Sequence, residues 1–311
     1  MTELISSDDL LAYWEIGPIR SITEQPRGES ASGNVTFVET ESGARYVLKR
    51  KTVRCTLPHE YKLLETLAAQ GVPVAAPLRA RSGEPYIQVG EDCFDLTPQL
   101  PGTVYNDHYV PGAIESARQF GAAISRLHTA LRNCEGLISV PDMDLPADIA
   151  RSSQVVRSIW PAGQPSIDSI LAELEAGLAA CFTELPRQLI HRDAHPGNML
   201  FFDGKLSGWL DFEIMLCGPR LFDLCYCSTS LLMNGMDDPA KRRTWFTLLS
   251  ALVEGYESVS RLTSVERRAL RVIQMSIEVI FIAFYAGIRH PAGMAQNISA
   301  LTWLYEHPYE L

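Results

Sequence analysis

The sequence has few basic residues and no run of them. Its 311 residues contain 27 Lys and Arg against 37 Asp and Glu, so the formal net charge at pH 7 is −10. Proteins that bind nucleic acids usually carry clustered Lys and Arg, so we expect no nucleic-acid partner. The acidic balance is compatible with a cationic small molecule as a ligand.

Signals for membranes and secretion are also scarce. The N-terminus, MTELISSDDLL, lacks the basic and apolar regions of a signal peptide. The most apolar run, IEVIFIAFYAGI at residues 277–288, is shorter than the roughly 20 residues that a spanning helix needs. We therefore expect a cytoplasmic protein without a membrane partner, in which residues 277–288 belong to a buried helix.

Cysteine spacing excludes a zinc site built on paired cysteines. The chain has seven cysteines, an odd and scattered number, and the closely spaced pair Cys225 and Cys227 has no second pair after it. Reduced and mostly buried thiols are the expected state. With 46% hydrophobic residues, the chain can form a sizeable core in one or two domains.

The richest stretch of the sequence is residues 189–223. It contains the triplet HRD at residues 191–193, then Asn198, and then the triplet DFE at residues 211–213. Between the apolar runs MLFF and LSGWL stands Asp203-Gly204, a pair that predicts a β-hairpin with a type I′ turn. Such a hairpin folds the chain back and brings Asn198 close to the DFE triplet, with HRD one loop away.

The residue types in this stretch suit phosphoryl transfer. An Asp can accept the proton of an incoming hydroxyl, while an Asn and a second Asp hold Mg²⁺ across nucleotide phosphates. The order H-R-D-x-x-x-x-N and then D-F-x is the catalytic signature of protein kinases, with Glu213 where a glycine is usual. Each residue alone has an ordinary structural explanation, but the combination predicts Asp193 as catalytic base and Asn198 and Asp211 as metal ligands.

The N-terminal region predicts a nucleotide-binding lobe. Strands are expected near residues 19–23, 35–40 and 44–50, separated by turns, and further strands up to residue 100 complete a five-stranded antiparallel sheet. The turn at residues 25–34 is not G-x-G-x-x-G, yet its backbone N–H groups and the Ser32 hydroxyl are predicted to reach the phosphates of ATP.

A lysine and a glutamate in this region match the pair that orients nucleotide phosphates in kinases. Lys49 ends the third predicted strand, and Glu60 lies near the start of a helix predicted from about residue 58 to 70. We predict that Lys49 and Glu60 pair, and Arg50 and Lys51 remain adjacent alternatives to Lys49. After the sheet, the Pro98 carbonyl and the Leu100 N–H are predicted to contact the adenine ring.

The segments HRDAHPGN, WLDFE and GPRLFDL together resemble the aminoglycoside phosphotransferase/choline kinase superfamily, which includes type II homoserine kinases. The resemblance covers nearly the whole chain. It implies an α+β, bilobal, protein-kinase-like fold, with residues 1–100 as the nucleotide-binding lobe and residues 101–311 as a mostly helical lobe. It also implies that ATP and Mg²⁺ are used to phosphorylate a hydroxyl of a small molecule, such as an aminoglycoside, homoserine or a choline-like alcohol.

The resemblance further assigns individual residues. It implies that His191 and Asp223 support the catalytic loop, and that Glu213 either assists the metal or substrate or forms a structural salt bridge. The helical lobe should supply the acceptor pocket, for which acidic candidates are Asp107, Glu254 and Glu278.

Two other functions use the same motifs. A protein kinase is the nearest, but only eleven residues, 212–222, separate Asp211 from Asp223, and no Ala-Pro-Glu follows. That leaves no room for the activation segment that holds a peptide. A nucleotide-binding pseudokinase or adaptor is the other alternative, although all the catalytic residues are present.

Overall fold

The computed structural model describes residues 7–24, 35–51 and 57–310. Ser32, the predicted phosphate contact, lies outside these residues. The described part of the chain forms an antiparallel sheet followed by a mostly helical region, which agrees with the predicted fold class.

The N-terminal sheet has five strands in the order β1-β2-β3-β5-β4, and every adjacent pair is antiparallel. A short helix, α1 (Ser7–Leu11), precedes it and packs against Leu48 on one face of the sheet. Because side chains alternate along a strand, Lys49 and Lys51 share the opposite face. The strands are β1 (Ile19–Glu24), β2 (Val35–Thr40), β3 (Arg45–Lys51), β4 (Ile87–Val89) and β5 (Asp92–Pro98).

Helix α2 (Leu57–Ala69) connects the sheet to the rest of the molecule. It ends just before Gly71, whose φ of +80° is the left-handed conformation expected of a residue after a helix C-terminus. Its apolar residues Leu63 and Leu67 are fully buried in the same hydrophobic core as the helical region. The run VPVAAPL at residues 72–78 predicts a further strand of the sheet, but this prediction is wrong, because these residues form only a single bridge between Val74 and Trp209.

The helical region packs around a large apolar core. Helices α3 and α7 approach closely at two glycines: a Cβ on Gly121 would lie 1.9 Å from the Leu252 carbonyl oxygen, and one on Gly255 would lie 2.0 Å from the Arg118 carbonyl oxygen. The helices are α3 (Ala113–Arg132), α4 (Leu145–Ile159), α5 (Ile167–Cys181), α6 (Leu221–Met233), α7 (Pro239–Glu257), α8 (Ser264–Gly287) and α9 (Pro291–Glu306).

Helix α8 is the central helix of this core. It begins at a capping box, in which Thr263 and Glu266 exchange hydrogen bonds. By length and composition it could cross a membrane, but one such helix is weak evidence, and 56% of its most apolar window is buried inside the fold. Its neighbours are α4, α5, α6 and α9.

Four short strands position the predicted catalytic segments. β6 (Arg187–Ile190) pairs with β9 (Leu216–Pro219), and β7 (Met199–Phe202) pairs with β8 (Lys205–Trp209). The β7–β8 turn has φ of +48° at Asp203 and +70° at Gly204, which confirms the predicted type I′ hairpin.

Candidate active site

The buried carboxylate of Asp223 supports the loop that follows β6. It accepts hydrogen bonds from the backbone N–H groups of His191 at 2.9 Å and Arg192 at 2.8 Å. The His128 ring donates to the same carboxylate at 2.9 Å, and its other nitrogen bonds the Tyr256 hydroxyl at 2.9 Å. These contacts hold Arg192 at a φ of +69°, a costly conformation for a non-glycine residue.

The ring of His191 links this loop to the segment before Asp211. Its Nε2 donates to the Leu210 carbonyl at 2.9 Å, so its Nδ1 is free to accept the Asp193 N–H at 3.3 Å. Asp211 follows directly with a φ of +61°. His191 and Asp223 therefore support the loop in the way that the family resemblance implied.

Asp193 and Asn198 are in direct contact. The Asn198 side-chain NH₂ donates to Asp193 Oδ2 at 2.8 Å and to the Asp193 carbonyl at 2.9 Å. Both donors of the amide are thereby used, and its oxygen is the atom that can face a metal ion. The Leu210 N–H donates to the Asn198 carbonyl at 3.0 Å. Asp211 is the next residue, so it lies close to Asn198, as the predicted hairpin requires.

Lys49 joins this group from the sheet. Its Nζ lies 3.3 Å from Asp211 Oδ1 and 2.7 Å from Glu213 Oε1. Burial opposes the charge of Lys49, but Asp211 and Glu213 outweigh it and raise the pKa above its ordinary value. The Lys49 side chain is 18% exposed and the Asp211 side chain is 30% exposed, so neither is fully enclosed.

The predicted pair between Lys49 and Glu60 is wrong, because Glu60 pairs with Lys51. Lys51 Nζ lies 2.7 Å from Glu60, 3.1 Å from Glu213 and 3.5 Å from Asp95, and the side chain is only 5% exposed. Both lysines share one face of β3, and Lys51 is the one beside α2. The sequence left Lys51 open as an alternative, and its position on the strand could not decide between them.

Glu213 bridges the two lysines through Oε1. Burial acts against its ionisation, but Lys51 and Lys49 lower its pKa below the ordinary value, so Glu213 is ionised at neutral pH. The structural salt bridge, one of the two roles left open for Glu213, is therefore the role that its contacts support.

The oxygen atoms of Asn198 and Asp211 suit a magnesium ion. Within the described ranges, no group of three or more His, Cys, Asp or Glu side chains could hold a metal by itself. Mg²⁺ often binds proteins through only one or two carboxylates and completes its shell with phosphates and water. An amide oxygen and a carboxylate at the end of one hairpin fit that type of site.

His195 and Tyr226 also face Asp193, and neither residue could be assigned a role from the sequence. The His195 Nδ1 accepts the Gly197 N–H at 3.1 Å, and its Nε2 lies 3.7 Å from Asp193 Oδ1. Burial lowers the pKa of His195 despite the Asp193 charge, so the neutral ring carries its proton on Nε2. Tyr226 on α6 interacts with the same carboxylate, and its ring meets the His195 ring edge-on at 5.9 Å.

The remaining predicted residues lie in different places. Pro98 ends β5, and Leu100 follows it in the connection to the helical region, so their contacts with adenine stay predictions. Asp107 accepts the Tyr109 N–H at 2.9 Å. Glu254 forms an exposed ion pair with Arg118.

Comparisons with known proteins extend across this whole site. The profile of the phosphotransferase enzyme family matches residues 23–260, a span that includes both lysines and the catalytic loop. A homoserine kinase from Gluconacetobacter diazotrophicus is 28% identical over 302 residues, which cover 93% of this chain and 89% of the relative.

Solved structures agree on the fold. An aminoglycoside phosphotransferase from Alicyclobacillus acidocaldarius has a TM-score of 0.69 at 18% identity and covers 97% of this chain and 96% of its own. An amicoumacin kinase in complex with AMP-PNP, Ca²⁺ and Ami has the same TM-score at 14% identity and covers 97% of both chains. At these identities the likeness shows the shared fold.

Proposed function

Because the chain belongs to the phosphotransferase enzyme family, we propose that it phosphorylates the hydroxyl of a short hydroxy amino acid such as homoserine. Family membership confirms the predicted α+β fold and the predicted chemistry of an ATP-dependent small-molecule kinase. The identity of the acceptor is the new element, and the homoserine kinase relative makes homoserine the first compound to test.

The observation that carries the proposal is the continuous set of contacts around Asp193. The Asn198 amide donates a hydrogen bond to Asp193, and the Asn198 carbonyl accepts one from the Leu210 N–H. Lys49 forms an ion pair with Asp211. Asp193, Asn198, Asp211 and Lys49 therefore form one continuous cluster, and this arrangement supports the proposed phosphoryl transfer.

In this proposal each residue has a defined role. Asp193 orients the acceptor hydroxyl and takes its proton, and the Asn198 amide, which donates to Oδ2 at 2.8 Å, holds the carboxylate in place. Asn198 and Asp211 would hold Mg²⁺, which would supply positive charge against the phosphates. Lys49 contacts the phosphates, since positioning and charge stabilisation supply most of the rate enhancement in this reaction.

The nucleotide is assigned to the N-terminal lobe. We propose residues 1–100 as that lobe and residues 101–311 as the lobe that binds the acceptor. Ser32 would contact the phosphates, and the backbones of Pro98 and Leu100 the adenine. We also propose action in the cytoplasm, because the six cysteines within the described ranges are all free thiols.

The segment after Asp211 argues against a protein substrate. Within eight residues of Asp211, β9 has formed and paired with β6, and α6 begins at Leu221. The chain therefore has no extended segment there on which a peptide could bind, whereas a small acceptor needs none.

The test is phosphorylation by purified protein with Mg·ATP, measured as ADP release with homoserine, choline and kanamycin as separate acceptors. We expect homoserine to stimulate turnover, and Asp193→Asn to lower kcat by roughly 100-fold to 10,000-fold, the usual contribution of a general base. The Asn side chain has the same shape, so folding and nucleotide affinity should be retained.

Two results would contradict the proposal. If no acceptor stimulated ADP release while ATP still bound, the protein would be an adaptor. If Asp193→Asn kept most of its kcat, the base assignment would be wrong. Glu115→Gln removes an exposed carboxylate that pairs with Arg118 on α3 and serves as a control for the loss of one charge.

A further inference from the structure

The ammonium group of Lys49 has two carboxylate partners, which differ in distance and in burial. Lys49 Nζ lies 2.7 Å from Glu213 Oε1 and 3.3 Å from Asp211 Oδ1. The Glu213 side chain is 12% exposed, whereas that of Asp211 is 30% exposed. Charge-assisted contacts are strongest near 2.7 Å, and a partly buried pair is screened less by salt. Glu213 is therefore the closer and better shielded partner of Lys49.

The position of Glu213 is itself fixed from two sides. Its Oε1 lies 3.1 Å from the Nζ of Lys51, whose side chain is only 5% exposed. The preceding residue, Phe212, is buried, and the centroid of its ring lies 4.5 Å from that of the His191 ring. A buried cation thus anchors the Glu213 carboxylate, and the catalytic loop anchors the segment that carries it.

Glu60 lies one step further from Lys49. Its Oε1 is 2.7 Å from Lys51 Nζ, and its Oε2 is buried without a hydrogen-bond partner. Among the residues that the structure describes, no ion pair joins Glu60 to Lys49. Of these two glutamates, only Glu213 contacts both lysines.

We propose that Glu213 is the positioning residue for Lys49, and that its carboxylate holds the ammonium group where the nucleotide phosphates bind. The sequence predicted this role for Glu60. The inference rests on the proposed function, in which Lys49 contacts the phosphates. A lysine that is held in place before the nucleotide arrives loses less side-chain entropy on binding. Because Glu213 stands two residues after Asp211, one short segment would position both the lysine and a metal ligand, and α2 would act on Lys49 only through Lys51.

The sign of the change in nucleotide affinity in Glu213→Gln tests this role. Loss of a negative charge near the phosphates would by itself raise the affinity for an anion, whereas loss of a positioning contact lowers it. We expect the affinity for AMP-PNP to fall about tenfold, the equivalent of one long side chain that must be ordered on binding. An unchanged or higher affinity would overturn the inference.

Calorimetry with Mg²⁺ and with EDTA separates this role from that of a metal ligand. The loss in Glu213→Gln should be present under both conditions, because the lysine is misplaced whether or not the metal is bound. A loss that occurred only with Mg²⁺ would make Glu213 a metal ligand and overturn the inference.

A double-mutant cycle shows whether the effect of Glu213 passes through Lys49. In Lys49→Met, the additional change Glu213→Gln should alter AMP-PNP affinity by less than about twofold, since the group that Glu213 positions is already absent. A tenfold loss in both backgrounds would mean that Glu213 acts independently of Lys49.

Glu60→Gln is the matched control, because it removes a carboxylate from Lys51 but none from Lys49. Its AMP-PNP affinity should fall much less than that of Glu213→Gln, and urea unfolding verifies that both variants are folded. Equal losses would overturn the inference. Glu213→Asp is a second variant, which keeps the charge but is one methylene shorter; it should also lose affinity, and full affinity would contradict a role that depends on reach.

The inference and the proposed function can fail separately. If the affinities follow these expectations but no acceptor stimulates ADP release, the role of Glu213 stands and the proposed function fails. If an acceptor is phosphorylated while Glu213→Gln binds AMP-PNP as tightly as the unaltered protein does, only the inference fails. No binding of AMP-PNP to the unaltered protein would overturn both.

Discussion

Two residues of the site have a backbone conformation that ordinary residues rarely adopt. Arg192 and Asp211 have φ values of +69° and +61°, each of which costs about 1–3 kcal/mol. The Arg192 N–H donates to the Asp223 carboxylate, and the His191 ring donates to the carbonyl of Leu210, the residue before Asp211. The geometry around Asp193 thus depends on residues that have no contact with a substrate.

The conformation of Asp211 determines which substitution tests its role. Asparagine tolerates a positive φ better than alanine does, so Asp211→Asn removes the charge with little added strain. We expect the affinity for Mg·AMP-PNP to fall about tenfold or more, an energy of about 1.4 kcal/mol, because a metal ligand loses its charge. Calorimetry with Mg²⁺ and with EDTA should show the loss only when the metal is present.

At the scale of elements, one ammonium group joins four parts of the chain. Lys51 of β3 contacts Glu60 of α2, Asp95 of β5 and Glu213, which follows β8. The carboxylates raise the pKa of Lys51 even though burial opposes its charge. Lys51 therefore fixes α2 against the sheet, which leaves Lys49 to face Asp211.

This division between the lysines can be tested with a pair of variants. Lys51→Met leaves buried carboxylates without their cation, and we expect a loss of about 3–5 kcal/mol in the free energy of unfolding. Lys49→Met should change stability much less and instead raise the KM for ATP. Urea unfolding and steady-state kinetics separate the two effects, and similar stabilities of the two variants would contradict the division.

Features that depend on residues close together in the chain could be predicted from the sequence, whereas contacts between residues far apart in the chain could not. The β7–β8 hairpin depends on Asp203-Gly204 and was predicted correctly, and so was the end of α2 at Gly71. The partner of Glu60 depends on how α2 packs on β3, and the prediction of Lys49 was wrong. Tyr226 comes 33 residues after Asp193, and only the packing of α6 brings them together.

Helix α4 shows the same limit in a different way. The many Pro, Asp and Ser residues of the segment 134–165 predict a loop with a short helix, but α4 covers fifteen of these residues. Its N-cap Asp144 bonds the Ala147 N–H, and the fully buried Leu145, Ile149 and Val156 pack into the main core. Because polar residues and prolines surround these positions, the apolar face of α4 could not be recognised in the sequence. The helix becomes stable only through tertiary packing.

At the scale of the whole molecule, helix α2 joins the sheet region to the core of the helical region. Leu63 and Leu67 of α2 belong to the same buried cluster as Ile273 and Ile277 of α8. The sheet has a second, separate apolar cluster, in which Leu48 and Leu96 pack with α1. A change in the stability of α8 should affect the entire fold.

Glu278 lies in that helix, and burial raises its pKa, which makes a prediction for overall stability. The folded protein keeps the Glu278 proton at pH values where the unfolded chain has released it. The contribution of Glu278 to stability is thus fully present below the unfolded pKa, near 4.3 for glutamate, and declines as pH rises towards the folded pKa. The expected decline is about 1.4 kcal/mol per pH unit over that interval.

Glutamine cannot ionise, so Glu278→Gln should remove this decline. We expect the variant to be more stable than the unaltered protein at pH 8 and to differ much less from it at pH 5. Urea unfolding at both pH values measures the difference, with Glu115→Gln as the control that should show little change at either. A constant difference between Glu278→Gln and the unaltered protein would mean that Glu278 is ionised in the folded state.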